Sequence, residues 1–318
     1  MTFPLKGRNQ VIAVIGGQSI KNGTQMIQIF RIRIGVVVLL ILLIATTAGV
    51  YGLKDNKGQN VLNDLEVMTC NIGNLKGHQS LAREKVVDYF KLCGVPDVLF
   101  LQEVLSENEA EYFSKKLGLN YFVFLNDFKG TYGIAILSKT PLTNHDRIYF
   151  KASQRGGGAH AADVMVGHNL KGTSKKVRVV NVHLDSIEPL VIVDGKVEVT
   201  WSSILLFVKN EIFGDSVRSR SARELVQWLA EKGVDNIILG GDFNSVPFSK
   251  AIRIVGSRFD DVLWPSLKYL SGTYKRLDFP VAPRIDFLFL SSDLHCRQAN
   301  VISRSSGDHF PVRAFVGI

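Results

Sequence analysis

Six apolar runs, each carrying carboxylate, amide or imidazole groups at one end, constrain this chain more than any other feature. They are MTCNIG (68–73), LQEV (101–104), NVHLDS (181–186), GGDFNS (240–245), RIDFLFLS (284–291) and SGDHFPV (306–312). Side chains alternate faces along a strand, so Asn181, His183 and Asp185 share one face while Val182 and Leu184 take the other. The same spacing sets Asp242 with Asn244 just after Ile237, Ile238 and Leu239, and Gly240 and Gly241 permit close backbone approach. Val98 to Leu101 read as a strand buried on both faces, with Gln102 and Glu103 at its C-terminal end. Buried strands have no structural use for such ends, so the polar termini mark a site.

Apolar runs at 65–72, 97–103, 121–126, 132–138, 177–185, 236–241 and 285–291 are expected strands. Helices are expected between them. Leu81, Val86, Val87, Phe90 and Leu92 have near-helical spacing over 80–92, closed by Gly94. Ser106 with Glu109, and Ser221 with Glu224, have capping-box spacing. No repeat or low-complexity stretch divides residues 64–318, which suffice for one large α/β domain.

The polar ends suit hydrolysis of a phosphate ester. That chemistry needs a cation against the phosphoryl oxygens, a base for water and donors that hold the phosphate. Hard oxygen ligands without thiolates favour magnesium, with manganese as the alternative. Glu103 is the leading ligand, with Asn71 beside it and Asp308 from the far end of the chain. Asp286 and His309 supply an acid–imidazole pair in which the acid fixes the tautomer and the ring is the general base. Each has a bland counterpart: a lone strand histidine is usually packed, and Gly-Gly-Asp-Phe-Asn is a good turn. Their joint occurrence favours the functional reading.

In order and spacing these motifs resemble the endonuclease/exonuclease/phosphatase superfamily, the deoxyribonuclease-I-like fold, over roughly residues 64–318. The resemblance implies a four-layer α/β sandwich, two central mixed β-sheets flanked by helices, with the site at the strand ends. It places Asn71 and Glu103 at the metal, His183 on the phosphate and transition state, and Asp242 and Asn244 on the water and phosphate. Asp308 and His309 form the terminal motif, with Asp286 orienting the histidine. Asn181, on the His183 face, is assigned to the phosphate together with Asn244 and Asn71. The family's Ser-Asp-His is here Gly307-Asp308-His309, a change expected to alter loop geometry more than chemistry.

Other signals are weaker. Gly156 to Gly158 read as a hairpin or loop rather than a phosphate cradle. His160 and His168 lack ligand partners at metal spacing and are expected in surface or loop positions. Cys70, Cys93 and Cys296 show no paired spacing, which argues against disulfides or zinc, and Cys70 reads as a small core residue.

Residues 34–52 carry no charge over a length able to span a bilayer. Lys6, Arg8, Lys21, Arg31 and Arg33 precede this segment without an acid, five of the chain's net nine positive charges. The positive-inside rule then gives a cytoplasmic segment 1–33, a transmembrane signal-anchor 34–52, a linker 53–63 and a catalytic domain 64–318 on the non-cytoplasmic face. A cleaved signal peptide, and so a secreted domain, is the rival. Met26 offers an alternative start. The mild basic excess of the remainder suits a phosphate-bearing substrate without demanding nucleic acid.

Residues 187–220 exceed a simple connection. Trp201, Ile204, Leu205, Leu206, Phe207, Ile212 and Phe213 form either an amphipathic helix packed on the domain, the favoured reading, or a flap toward lipid with Arg218 and Arg220 near phosphate. The expectation is a metal-dependent phosphodiesterase whose substrate is nucleic acid or a lipid head group, of sphingomyelinase or phosphoinositide type. No protein partner is inferred. The alternative from another class is a membrane-anchored binding protein without turnover, against which Glu103, Asp242 and His309 argue.

Overall fold

A computed structural model describes residues 64–73, 79–127, 131–167, 174–186, 192–193, 196–197, 208–275, 282–303 and 307–318. The expected segments 1–33, 34–52 and 53–63 lie outside the described residues, as do His168 and Trp201 to Phe207. Among the described residues no helix is long and apolar enough to cross a membrane.

In chain order the strands are β1 (Asp64–Asn71), β2 (Val98–Val104), β3 (Tyr121–Asn126), β4 (Gly133–Ser138), β5 (Thr143–Tyr149), β6 (Gly158–Val166) and β7 (Lys175–His183). A short hairpin of β8 (Ile192–Val193) and β9 (Lys196–Val197) follows. The rest are β10 (Ile237–Asp242), β11 (Asp260–Asp261), β12 (Asp286–Leu290), β13 (His295–Val301) and β14 (Val312–Gly317). They form two six-stranded sheets, β13-β14-β1-β2-β4-β3 and β11-β12-β10-β7-β6-β5. Both are mixed: β1 pairs parallel with β2 and antiparallel with β14, and β10 pairs parallel with β7 and antiparallel with β12.

Strand alternation sorts the core into three layers of apolar contact. Val67, Val98, Phe100, Ile136, Val177, Val179, Ile238 and Leu288 fill the space between the sheets. On the outer face of the first sheet, Met68, Cys70, Leu99 and Leu101 meet α1 (Gln79–Cys93) and α2 (Glu107–Leu117) through Val86, Phe90, Ala110 and Phe113. On the outer face of the second, Val180, Val182, Leu239 and Phe287 meet α3 (Val217–Glu231) and α4 (Lys250–Gly256) through Leu225, Trp228, Ile252 and Val255. The result is the expected helix–sheet–sheet–helix stack. Gly240 lets the sheets close: a Cβ there would stand 2.5 Å from Leu288 Cδ2 and 2.7 Å from Phe100 Cδ2.

Ser106 caps α2 as its spacing predicts, its side chain accepting from Glu109 N at 3.3 Å. The Ser221 cap is corrected. Helix α3 begins a turn earlier at Val217, capped by Ser216, whose hydroxyl accepts from Ser219 N at 3.2 Å. Glu224 instead takes the backbone N–H groups of Lys151 and Ala152 at 2.7 and 3.0 Å. Gly156 to Gly158 do close a hairpin, between β5 and β6. His160 is corrected too: it lies within β6 and is buried, not in a surface loop. All three cysteines are free, and Cys70 is a core residue.

Of the long connection after β7, residues 208–213 form a π-helical turn. Phe213 projects into solvent, whereas Glu211 is buried. Arg218 is also buried and grips Glu211 with two bonds of 2.6 and 3.1 Å, while its remaining N–H group reaches the Asp185 and Ser186 carbonyls at 3.2 Å each. The less favoured flap alternative would have set Arg218 near phosphate; instead the guanidinium ties the returning chain to the end of β7.

Candidate active site

The parallel pairs β1–β2 and β7–β10 end side by side, and there the polar residues meet across the gap between the sheets. Asn71, the last residue of β1, is the link. Its Nδ2 donates to Glu103 Oε1 at 3.1 Å within its own sheet and to Asp242 Oδ2 at 3.0 Å in the other. Its Oδ1 accepts Gly73 N at 2.9 Å. A Cβ on Gly73 would stand 3.2 Å from Asp308 Oδ1, which locates the exposed Asp308 carboxylate beside the same turn.

Glu103 reaches this position through a bulge. By strict alternation it would join Leu99 and Leu101 on the helix-facing side, but the β2–β4 register shifts between Gln102 and Val104. Glu103 is the inserted residue, with φ 58°, and Val104 resumes the helix-facing core. A left-handed conformation for a glutamate costs on the order of 1–3 kcal/mol, a strain found mostly at functional sites. Gly241 has φ 149°, and a side chain there would collide with the Val182 carbonyl, so Gly-Gly is required where β10 runs against β7.

In the second sheet Asp242 lies opposite His183 on one side and Asp286 on the other. His183 Nε2 is 3.8 Å from Asp242 Oδ2, and His309 Nε2 is 3.9 Å from the same oxygen. His309 Nδ1 bonds Asp286 Oδ2 at 3.0 Å and Oδ1 at 3.2 Å, the expected acid–imidazole pair. Asn244, at φ 47°, donates its backbone N–H to Asp242 Oδ1 at 2.8 Å and its amide to the Leu184 carbonyl at 2.9 Å.

Charge is unbalanced here. Burial, then the adjacent Asp286, pushes Asp242 up to about 6. For His309, burial favours the neutral ring but is outweighed by Asp286, Asp242 and Asp308, and the imidazole is pushed up to about 10. Positive charge beside these buried carboxylates is electrostatically favoured. The donor set of Glu103, Asp308 and the Asn71 amide oxygen is hard and thiolate-free, and fits magnesium or manganese. A second set, Asp242, Asp286 and His309, has ligating atoms within 4.8 Å of one another. Within it His309 and Asp286 bond each other, whereas Asp242 accepts from the Asn71 amide and the Asn244 N–H group.

Asn181 is not part of this cluster. It is fully buried between the sheets; its Nδ2 donates to the Leu101 and Ala135 carbonyls at 2.9 and 2.8 Å and its Oδ1 accepts from Gln102 Nε2 at 2.7 Å. Both N–H groups are used, leaving none for a phosphate. Alternation gave its face correctly but not its depth. Asp185, two residues past His183, caps the 153–156 turn through Ser153 Oγ and the Gln154 and Arg155 N–H groups.

Two residues near the site were not among the candidates read from the sequence. Thr273 is buried, and its Oγ1 accepts Ile285 N at 2.9 Å and Asp286 N at 3.0 Å, while its carbonyl takes Phe310 N at 2.6 Å. One threonine thus fixes both Asp286 and the His309 segment. Tyr132 sets its ring 5.8 Å from that of His183. Only the apolar run 132–138 hinted at its location.

Known proteins complete the picture. The family model described as Endonuclease/Exonuclease/phosphatase family matches residues 68–309. No curated protein matches the sequence. Among solved structures, the mannosyl-6-phosphatase of Bacteroides thetaiotaomicron superposes with a TM-score of 0.58 at 15% identity, covering 80% of this chain and 100% of that one. D. rerio TDP2 complexed with single strand DNA product gives 0.57 at 18% identity, covering 80% and 99%. The human Nocturnin catalytic domain with bound sulfate gives 0.56 at 18%, covering 80% and 94%. At these identities the structures share the fold.

Proposed function

This chain belongs to the endonuclease/exonuclease/phosphatase family, and on that premise we propose that it is a divalent-metal-dependent hydrolase of phosphodiesters. The observation that carries the reading is the continuous link Glu103–Asn71–Asp242, with His183 and the His309–Asp286 pair on the same carboxylate. Glu103, the Asn71 amide oxygen and Asp308 would hold magnesium or manganese, which supplies charge neutralisation to the phosphoryl oxygens. His183 and Asn244 position the phosphate. Asp242 orients the attacking water, and His309 takes its proton while Asp286 fixes the ring tautomer. His309 accepts a proton only when positive charge offsets its carboxylates, which is why an acid-rich pocket and a divalent cation belong together.

Residues 34–52 support a second part of the proposal: a single-pass anchor with the N-terminus cytoplasmic and the catalytic domain on the opposite face. That placement favours lipid head groups or extracellular nucleic acid over chromosomal substrates. A DNA product in one structural relative and a sugar phosphatase in another show how widely this fold is used. The test is magnesium-dependent hydrolysis by the full-length chain of DNA, RNA and phospholipid or sphingolipid vesicles, with His309→Ala alongside. Cleavage of one class, lost in the variant, supports the reading and names the substrate. No cleavage of any class replaces it with the binding-protein alternative.

A further inference from the structure

Beside His183 the ends of the two sheets leave a shallow cleft lined by Asn126, Asp127, Tyr132, Tyr149 and Gly156. Tyr132 is fixed within it. Its carbonyl accepts Asp127 N at 2.7 Å, closing the β3–β4 hairpin, and the next residue, Gly133, has no room for a side chain, since a Cβ would stand 2.7 Å from the Phe124 ring. The Tyr132 ring lies 5.8 Å from the His183 ring, tilted by 43°. Its hydroxyl makes no hydrogen bond with any described residue. A half-buried phenol with an unused donor, set against a site imidazole, is placed to bind something absent from the chain itself.

Charge narrows what that is. Burial, then the Glu103, Asp127 and Asp185 carboxylates, outweigh the single opposing Arg155 and push Tyr132 up to about 12, so it remains a donor at working pH. The same carboxylates repel a second anion. The Asp127 carboxylate, which accepts from Thr131 N at 2.9 Å and Thr131 Oγ1 at 2.8 Å, adds acceptor oxygens on this side. An aromatic face with a donor, flanked by acceptors, suits an uncharged ring that bears hydroxyls.

We propose that this cleft receives the non-ionic, hydroxyl-bearing ring esterified to the scissile phosphate, and that Tyr132 contacts it: the phenol donates to a hydroxyl oxygen on the ring and its face packs on the ring's C–H edge. The inference rests on the phosphodiesterase reading above. A nucleotide ribose and a cyclitol head group share this chemistry.

The experiment compares the full-length parent and Tyr132→Phe, with magnesium, on three 4-nitrophenyl phosphodiesters whose second ester is phenyl, uridine-5′ or myo-inositol. The expected result is a loss of about tenfold in kcat/KM, carried by KM, on a hydroxylated diester, the size of one hydrogen bond. The phenyl diester and the thermal midpoint stay unchanged, and the diester with the larger loss names the source of the ring. Equal losses on all three, or no loss on either hydroxylated diester, would overturn the inference while leaving the phosphodiesterase reading intact. A parent inactive on all three would instead overturn that reading, and the inference with it.

Discussion

Asn181→Ala separates the structural role of this residue from a phosphate-binding one. The variant removes the bonds to the Leu101 and Ala135 carbonyls and from Gln102 Nε2. At about 1 kcal/mol net for each of the two carbonyl bonds, and about 1–3 kcal/mol for the Gln102 N–H left buried without a partner, the loss is about 3–5 kcal/mol. Gln102 cannot turn away cheaply, since its other amide bond holds Thr69 Oγ1 at 3.0 Å in a fully buried position. For a domain of this size about 2–4 °C accompanies each kcal/mol, so the thermal midpoint should fall by about 6–20 °C. Calorimetry of the full-length protein measures this. Steady-state kinetics well below the variant's midpoint should give kcat/KM within about threefold of the parent per folded molecule. An unchanged midpoint with a raised KM would put Asn181 on the substrate and refute the assignment.

Two other perturbations probe the acid–base pair. Asp286→Asn removes the carboxylate that most raises His309, so in the metal-free protein the imidazole C2–H resonance should titrate well below pH 10; an unmoved titration would contradict the pairing. In the parent, whose folded pKa is raised, the His309 contribution to stability is complete below the ordinary imidazole pKa of about 6.5 and is lost as pH rises through about 10. Metal-free melting midpoints should fall across that window in the parent and less in Asp286→Asn. Thr273→Val strands the Ile285 and Asp286 N–H groups; kcat should drop about tenfold with little change in KM, and Thr273→Ser should restore it, whereas a change confined to KM would contradict a positioning role.

Most of the scaffold was legible because buried strands announce themselves. The apolar runs from 65 to 72, 97 to 103 and 236 to 241 fall on β1, β2 and β10 to within about two residues. Strands β5 and β13 were not seen, since they lie at sheet edges with largely exposed side chains and have no apolar run to betray them. Strand β6 is buried but built on alanines, which carry little strand preference, and β14, largely buried between β13 and β1, was also not among the expected runs. Within the site, Asp242, Asp286 and His309 could be placed from their motifs because the strand ends converge. The route of Glu103 could not: a bulge is a three-dimensional solution to register, and alternation alone points that carboxylate at the helices. Thr273 and Tyr132 are positioned by loop geometry, which no periodicity encodes.

The most direct test of the central claim is the magnesium dependence of phosphodiester hydrolysis by the parent and by Glu103→Ala. The parent should gain activity with added magnesium and lose it to a chelator. The variant should fall on the order of a thousandfold at saturating magnesium, as expected when the main ligand of a charge-neutralising cation is removed. Glu103→Ala protein that keeps full metal-dependent turnover would place the cation elsewhere, and the account of this site would be wrong.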